Sequence, residues 1–133
     1  MKLTNTHNMK AKSGMTLLEL SVVIIVLLSL ISILFIGARA WKKGSDRSSN
    51  IMNLRNTQQA MRGHQNTREL AVGAAFTQTM LVDYMKFPAT VATVTYTAGT
   101  VIPATGTLWL TASADGLAGA TYGPASAAAY SEW

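Results

Sequence analysis

The stretch Leu20–Ala38, LSVVIIVLLSLISILFIGA, runs for nineteen residues without a charge. Val, Ile and Leu dominate it, interrupted by Ser21, Ser29, Ser32 and Gly37. About 20 apolar residues span the hydrocarbon core of a bilayer as a helix. The stretch therefore predicts a membrane-length helix, and the rest of the chain takes its meaning from its position relative to it.

On the N-terminal side, residues 1–14 (MKLTNTHNMKAKSG) are polar and basic, with no apolar core of their own. On the C-terminal side, residues 39–66 are polar and rich in Arg and Gln, and the first proline of the chain is Pro88. Nothing there forces a helix to break, although Gly37, Gly44 and Gly63 loosen it locally. Ile51, Leu54 and Met61, with Gln58 among them, recur at helical spacing and form a narrow stripe for packing on a small domain. A helix over residues 15–65 reaches roughly 75 Å at 1.5 Å per residue.

The texture changes after residue 66. Thr77 is placed to cap a short helix through Met85, with Leu81 and Met85 on one face. β-Branched and aromatic residues predict strands near 92–98 and 107–112, with a short one at 100–102. Residues 113–133 are rich in Ala, Gly and Ser and read as a partly mobile loop, with Tyr122, Tyr130 and Trp133 as its large anchors. The expected fold is α+β: a long N-terminal helix with a transmembrane half (15–38) and an amphipathic half (39–66), packed against a small antiparallel β-rich head (67–133).

Composition narrows the function. The 133 residues contain no cysteine, which excludes disulfides and thiolate metal sites. The formal charge is +5, but Lys2, Lys10 and Lys12 sit in the first fourteen residues; without them eight basic residues face six acidic ones. The basic character thus belongs largely to the leader and argues against nucleic acid as a partner. No Ser/His/Asp set, paired-carboxylate cleft or phosphate loop stands out, so the sequence does not read as an enzyme and calls for no cofactor.

The order of features around Lys10-Ala-Lys-Ser-Gly-Met-Thr-Leu-Leu-Glu-Leu-Ser is unusual. A secretory signal peptide carries its apolar region before the small-residue cleavage site. Here the small residue, Gly14, precedes the apolar region, so a cut after Gly14 leaves the helix on the mature chain. This segment resembles the leader and N-terminal helix of type IV pilins and type II secretion pseudopilins, over roughly residues 10–38. Gly14, Met15 and Glu19 match the Gly before the cut, the N-methylated first residue and the Glu at the fifth mature position. The uninterrupted helix, with no proline in its apolar part, matches pseudopilins better than many type IV pilins.

The resemblance implies a structural function. A prepilin peptidase would cut Gly14–Met15, leaving Met15 as the methylated N-terminus. The precursor would be a single-pass inner-membrane protein, with its N-terminus cytoplasmic and its head periplasmic. An inner-membrane assembly platform, driven by a separate ATP-hydrolysing motor, would extract it into a self-assembled helical filament, periplasmic or on the cell surface. The alternative is a single-pass binding module whose head holds a secreted substrate or DNA.

Glu19 also has a physical argument. Insertion scales put an Asp at the centre of a membrane helix at about 2.5–3.5 kcal/mol, so a carboxylate at the edge of an apolar helix calls for a partner. A freed Met15 amine on a neighbouring subunit would neutralise it and set the axial register. The local reading is a capping box, Thr16-Leu-Leu-Glu19. Arg39, Trp41, Lys42 and Lys43, with Arg47 beyond them, read as a membrane-interface anchor. Basic residues flank the apolar helix on both sides, so charge bias alone does not orient it. Arg55, Arg62, Arg68 and His64 form a thin basic face, and Asp115-Gly116 reads as a plain turn rather than a calcium loop.

Overall fold

The computed structural model describes Gly14 and residues 16–133. Residues 1–13 of the expected leader and the expected methylation site, Met15, lie outside the described residues. The chain divides into two compact units, one ending at Ala38 and one running from Arg39 to Trp133. The fold class is α+β, as the sequence predicts: one long N-terminal helix and a small two-stranded antiparallel sheet.

The long helix, α1, spans Leu17–Thr67. It opens on a reciprocal cap. The Glu19 N–H donates to Thr16 Oγ1 at 3.3 Å, and the Thr16 N–H donates to Glu19 Oε2 at 3.1 Å. Two amides that a helix start leaves unpaired are thereby satisfied. The helix ends without glycine or proline. Glu69 takes a left-handed backbone, φ +52°, and the Leu70 N–H reaches back to the Gln65 carbonyl at 3.0 Å. This is the six-to-one bond of a Schellman turn, normally built on Gly. Gln65 reinforces it by donating from Nε2 to the Leu70 carbonyl at 3.1 Å, and Leu70 packs against the core.

In the first unit, every residue from Leu17 to Ala38 is exposed. Leu, Ile, Val and Phe cover all sides of the helix, which is long and apolar enough to cross a membrane. Its three serines turn their hydroxyls inward: Ser21 donates to the Leu18 carbonyl at 2.8 Å, Ser29 to Ile25 at 2.8 Å and Ser32 to Leu28 at 2.7 Å. Each hydroxyl is thus satisfied within the helix, the condition for placing it in hydrocarbon.

The second unit packs a small head on the C-terminal half of α1. The helix buries Asn50, Leu54, Thr57, Gln58, Met61 and His64. Facing them are Phe76, Leu81 of α2 (Gln78–Leu81), Val94, Ile102, Trp109, and Leu110 and Ala112 of β2 (Leu110–Ala112). β2 pairs with β1 (Tyr96–Ala98), with Tyr96 opposite Ala112 and Ala98 opposite Leu110. Phe76 meets Trp109 edge-on, ring centroids 4.9 Å apart.

The structure revises several finer expectations. Leu54 and Met61 are buried, but Ile51 is only half-buried; Asn50 takes the inward position beside it. Regular strand is confined to three residues on each side, and the 100–102 segment contributes only a bridge, Ala75 to Val101. The short helix after Thr77 stops at Leu81, and Thr77 bonds Thr79 rather than the helix amides. The tail is more ordered than a mobile loop. It forms two 3-10 turns, Ala114–Gly116 and Ala127–Tyr130, and packs Tyr122 and Trp133 against the core.

With so little sheet, the head's backbone groups need other partners, because buried N–H and C=O groups are nearly always paired. The polar side chains of α1 supply them. Gln58 accepts the Trp109 N–H at 2.9 Å and donates to the Thr107 carbonyl at 2.9 Å. Asn50 donates to the carbonyls of Gly116, at 3.1 Å, and Tyr122, at 2.7 Å, and accepts the Tyr96 hydroxyl at 2.6 Å. Arg62 donates to the Pro103 carbonyl at 3.0 Å. The helix face thus acts as the missing edge of the sheet.

Candidate functional site

The sequence concentrates chemistry at the two ends of the apolar stretch. At the first end, Gly14 is exposed and outside regular structure, two residues before the cap at Thr16. An added Cβ at Gly14 would meet no atom within 4 Å. Helix geometry begins at Leu17, three residues after Gly14.

Glu19 sits in the first turn, the only acid there. Its Oε2 closes the cap on Thr16, as the local reading expects. This also meets the electrostatic demand of the helix start, where four N–H groups point out with partial positive charge. Among the described residues no cation pairs with Glu19. The carboxylate is thus held in a fixed place at the head of the apolar surface.

Along that surface, Ile31, Leu34, Phe35 and Ala38 fall at i, i+3, i+4 and i+7 and line a shallow apolar depression of about 230 Å³. Ala38 keeps this side low, and a small side chain at such a place lets a second helix approach closely.

At the second end, Arg39, Trp41, Lys42 and Lys43 are all exposed on α1. Lys42 pairs with Asp46 at 3.4 Å, an i,i+4 contact on the helix surface. Trp41 is 76% exposed, with no packing inside the chain to hold it. Basic side chains and an exposed Trp beside an apolar span are the usual furniture of a membrane–water interface.

The thinner basic face farther along α1 is not one free surface. Arg62 is engaged with Gln65 and Pro103. His64 is 8% exposed, packed between Phe76 and Tyr84 at centroid distances of 5.2 and 5.5 Å. Arg55 lies over the Trp133 ring, 5.8 Å from its centroid. Beside it an open groove of about 650 Å³ runs between α1 and residues 128–133. Asp115 lies in a 3-10 turn and accepts the Thr93 hydroxyl at 2.8 Å. Among the described residues, no group of three or more His, Cys, Asp or Glu side chains gathers as a metal site would require.

Sequence reading missed the role of Asn50 and Gln58 in holding the head. The signal was faint: amides at inward helical positions, in a segment otherwise read as a weak apolar stripe. Tyr96, which bonds Asn50, has its phenol pKa pushed above 10.0 by burial, partly opposed by the hydrogen bond from Asn53. Compared with known proteins, the chain matches no family model, no curated protein and no solved structure.

Proposed function

We propose that this chain is a structural subunit of a type IV pilus-like filament, most similar to a type II secretion pseudopilin. One observation carries the reading: a small residue, Gly14, stands directly before a capped helix whose first 22 residues, Leu17 to Ala38, are exposed on every side. A cut there removes the basic leader and keeps the apolar helix. Such a helix is held by lipid in the precursor and by other copies of itself in a filament. The exchange is close to neutral because lipid tails and Leu or Ile side chains are similarly apolar.

Within that reading each residue has a task. Gly14 gives the peptidase an unencumbered peptide bond, and Met15 becomes the new, methylated N-terminus. Glu19, fixed by Thr16, offers a carboxylate at constant height for the Met15 amine of the next subunit. Only one stagger pairs every carboxylate with an amine, so the charge pair sets the register that uniform apolar packing leaves open. The head, carried on residues 39–67 of the same helix, faces the periplasm and coats the filament.

The test is Gly14→Arg, expressed in the native host. The reading expects the uncut precursor to accumulate in the inner membrane and the sheared filament fraction to be lost. Unchanged protein size and unchanged filament content would refute it. A single-pass binding module would instead keep its activity and its membrane location in this variant.

A further inference from the structure

The basic residues after the apolar stretch form a more specific pattern than a general interface anchor. At 100° per residue, Arg39, Lys42, Lys43 and Arg47 fall within an arc of roughly 140° on α1. Trp41 lies on the other side of the helix. Asp46, inside the arc, is taken by Lys42 at 3.4 Å. Arg39, Lys43 and Arg47 have no ion-pair partner among the described residues. They follow one another at i, i+4 and i+8, stacked on successive turns. Like charges at this spacing destabilise a helix, so the arrangement calls for an external anion.

The same arc continues into the face that carries Asn50 and Leu54 into the head, both buried. From Arg39 to Arg47 the helix rises about 12 Å, while a headgroup layer is about 5–8 Å thick on each side of the hydrocarbon. Arg39 and Lys43 therefore fall within the headgroup layer, and Arg47 stands at its outer side, within reach of the phosphates through its long side chain.

We propose that Arg39, Lys43 and Arg47 form a binding site for anionic phospholipid headgroups in the leaflet on the head's side. The phosphate diester, with no compensating ammonium, is the ligand. Arginine takes the phosphate oxygens through paired N–H groups, and Lys43 adds a point charge between the two arginines. A zwitterionic headgroup brings its own cation into the arc and binds less well. The inference rests on the membrane-spanning part of the proposed function and is independent of processing and filament assembly.

The experiment uses the full chain carrying K2Q/K10Q/K12Q, which removes the leader's own attraction for acidic lipid. It is reconstituted in phosphatidylcholine vesicles with a trace of spin-labelled phosphatidylglycerol or spin-labelled phosphatidylcholine. The fraction of motionally restricted label gives the relative association of the two lipids. The site predicts a preference of about threefold for phosphatidylglycerol, falling to about one in R39Q/K43Q/R47Q or at high salt. Arg68→Gln, the loss of a basic residue just past the far end of α1, should leave the preference intact, and unchanged circular dichroism should show that the triple variant is folded. A ratio near one in the parent, or a preference that survives the triple change, overturns the proposal. Restriction of neither lipid would overturn the membrane placement as well, whereas a failure of filament assembly alone would leave the lipid result standing.

Discussion

The two halves of α1 treat their polar side chains in opposite ways. Between Leu17 and Ala38, Ser21, Ser29 and Ser32 bond back to carbonyls of their own helix, and the outer surface is apolar on every side. Between Asn50 and Gln65, amide and guanidinium groups reach away from the helix to backbone groups of the head. The first half leaves no side-chain hydroxyl in need of an outside partner, which is what a hydrocarbon surrounding would require. The second half uses its polarity because the head, with three residues in each strand, leaves some backbone groups, the Trp109 N–H and the Thr107 and Gly116 carbonyls among them, for helix side chains to pair. A helix described as polar by composition is therefore part of the head's core.

The sharpest way to break this comparison is to separate head from helix. A fragment beginning at residue 68 loses Leu54, Met61, Asn50 and Gln58 together. It should show no cooperative thermal transition by circular dichroism and no slow amide exchange, while a fragment of residues 39–133 should keep both. A stable transition in the shorter fragment would show that the head folds without α1.

Point changes grade the same contrast. Trp109→Ala, at 1% exposure, should cost about 3–5 kcal/mol in denaturant unfolding of the 39–133 fragment. Gln58→Ala should cost about 1–3 kcal/mol, because the Trp109 N–H is left buried without a partner. If Gln58→Ala is silent, the amides are ornaments and the apolar contacts alone hold the head.

Alkaline titration should also distinguish the halves, since the raised tyrosine lies only in the head. Tyr96 has a folded-state pKa above 10.0. Its contribution to stability is therefore complete below pH 10 and is lost as pH rises from there through the folded value, because the unfolded chain ionises first. Tyr96→Phe should lower stability at neutral pH by removing the bond to Asn50, yet flatten this part of the alkaline decline. The smallest effect belongs to Glu69→Gly. It relieves a left-handed backbone at φ +52° and should raise stability by about 0.5–1 kcal/mol.

The long helix was legible in sequence because its signals are local: an uncharged run, Thr16 and Glu19 three apart, and no proline before Pro88. Its end was less so. Glu69 holds a position that usually needs Gly, and what secures it is Gln65 and the packing of Leu70. The first strand was read too long because β-branched residues such as Thr93, Val94 and Thr95 satisfy strand propensity while the chain before Tyr96 turns. The inward amides were invisible to an apolar-stripe reading, since their role depends on carbonyls 49 to 72 residues away. At the candidate site, Gly14 and Glu19 stood out because a small residue and a carboxylate precede the apolar run, and their roles are those the resemblance implies. The local bond of Glu19 to Thr16 was foreseen, and any pairing between copies involves groups that one chain does not contain.

The proposed function stands or falls on what happens at the Gly14–Met15 bond. Intact mass and N-terminal sequencing of the protein taken from its native membrane would read it directly. The account predicts a chain beginning at Met15 and carrying one added methyl group, with Leu20–Ala38 retained. A chain beginning at Met1, or one cut after Ala38, would contradict it.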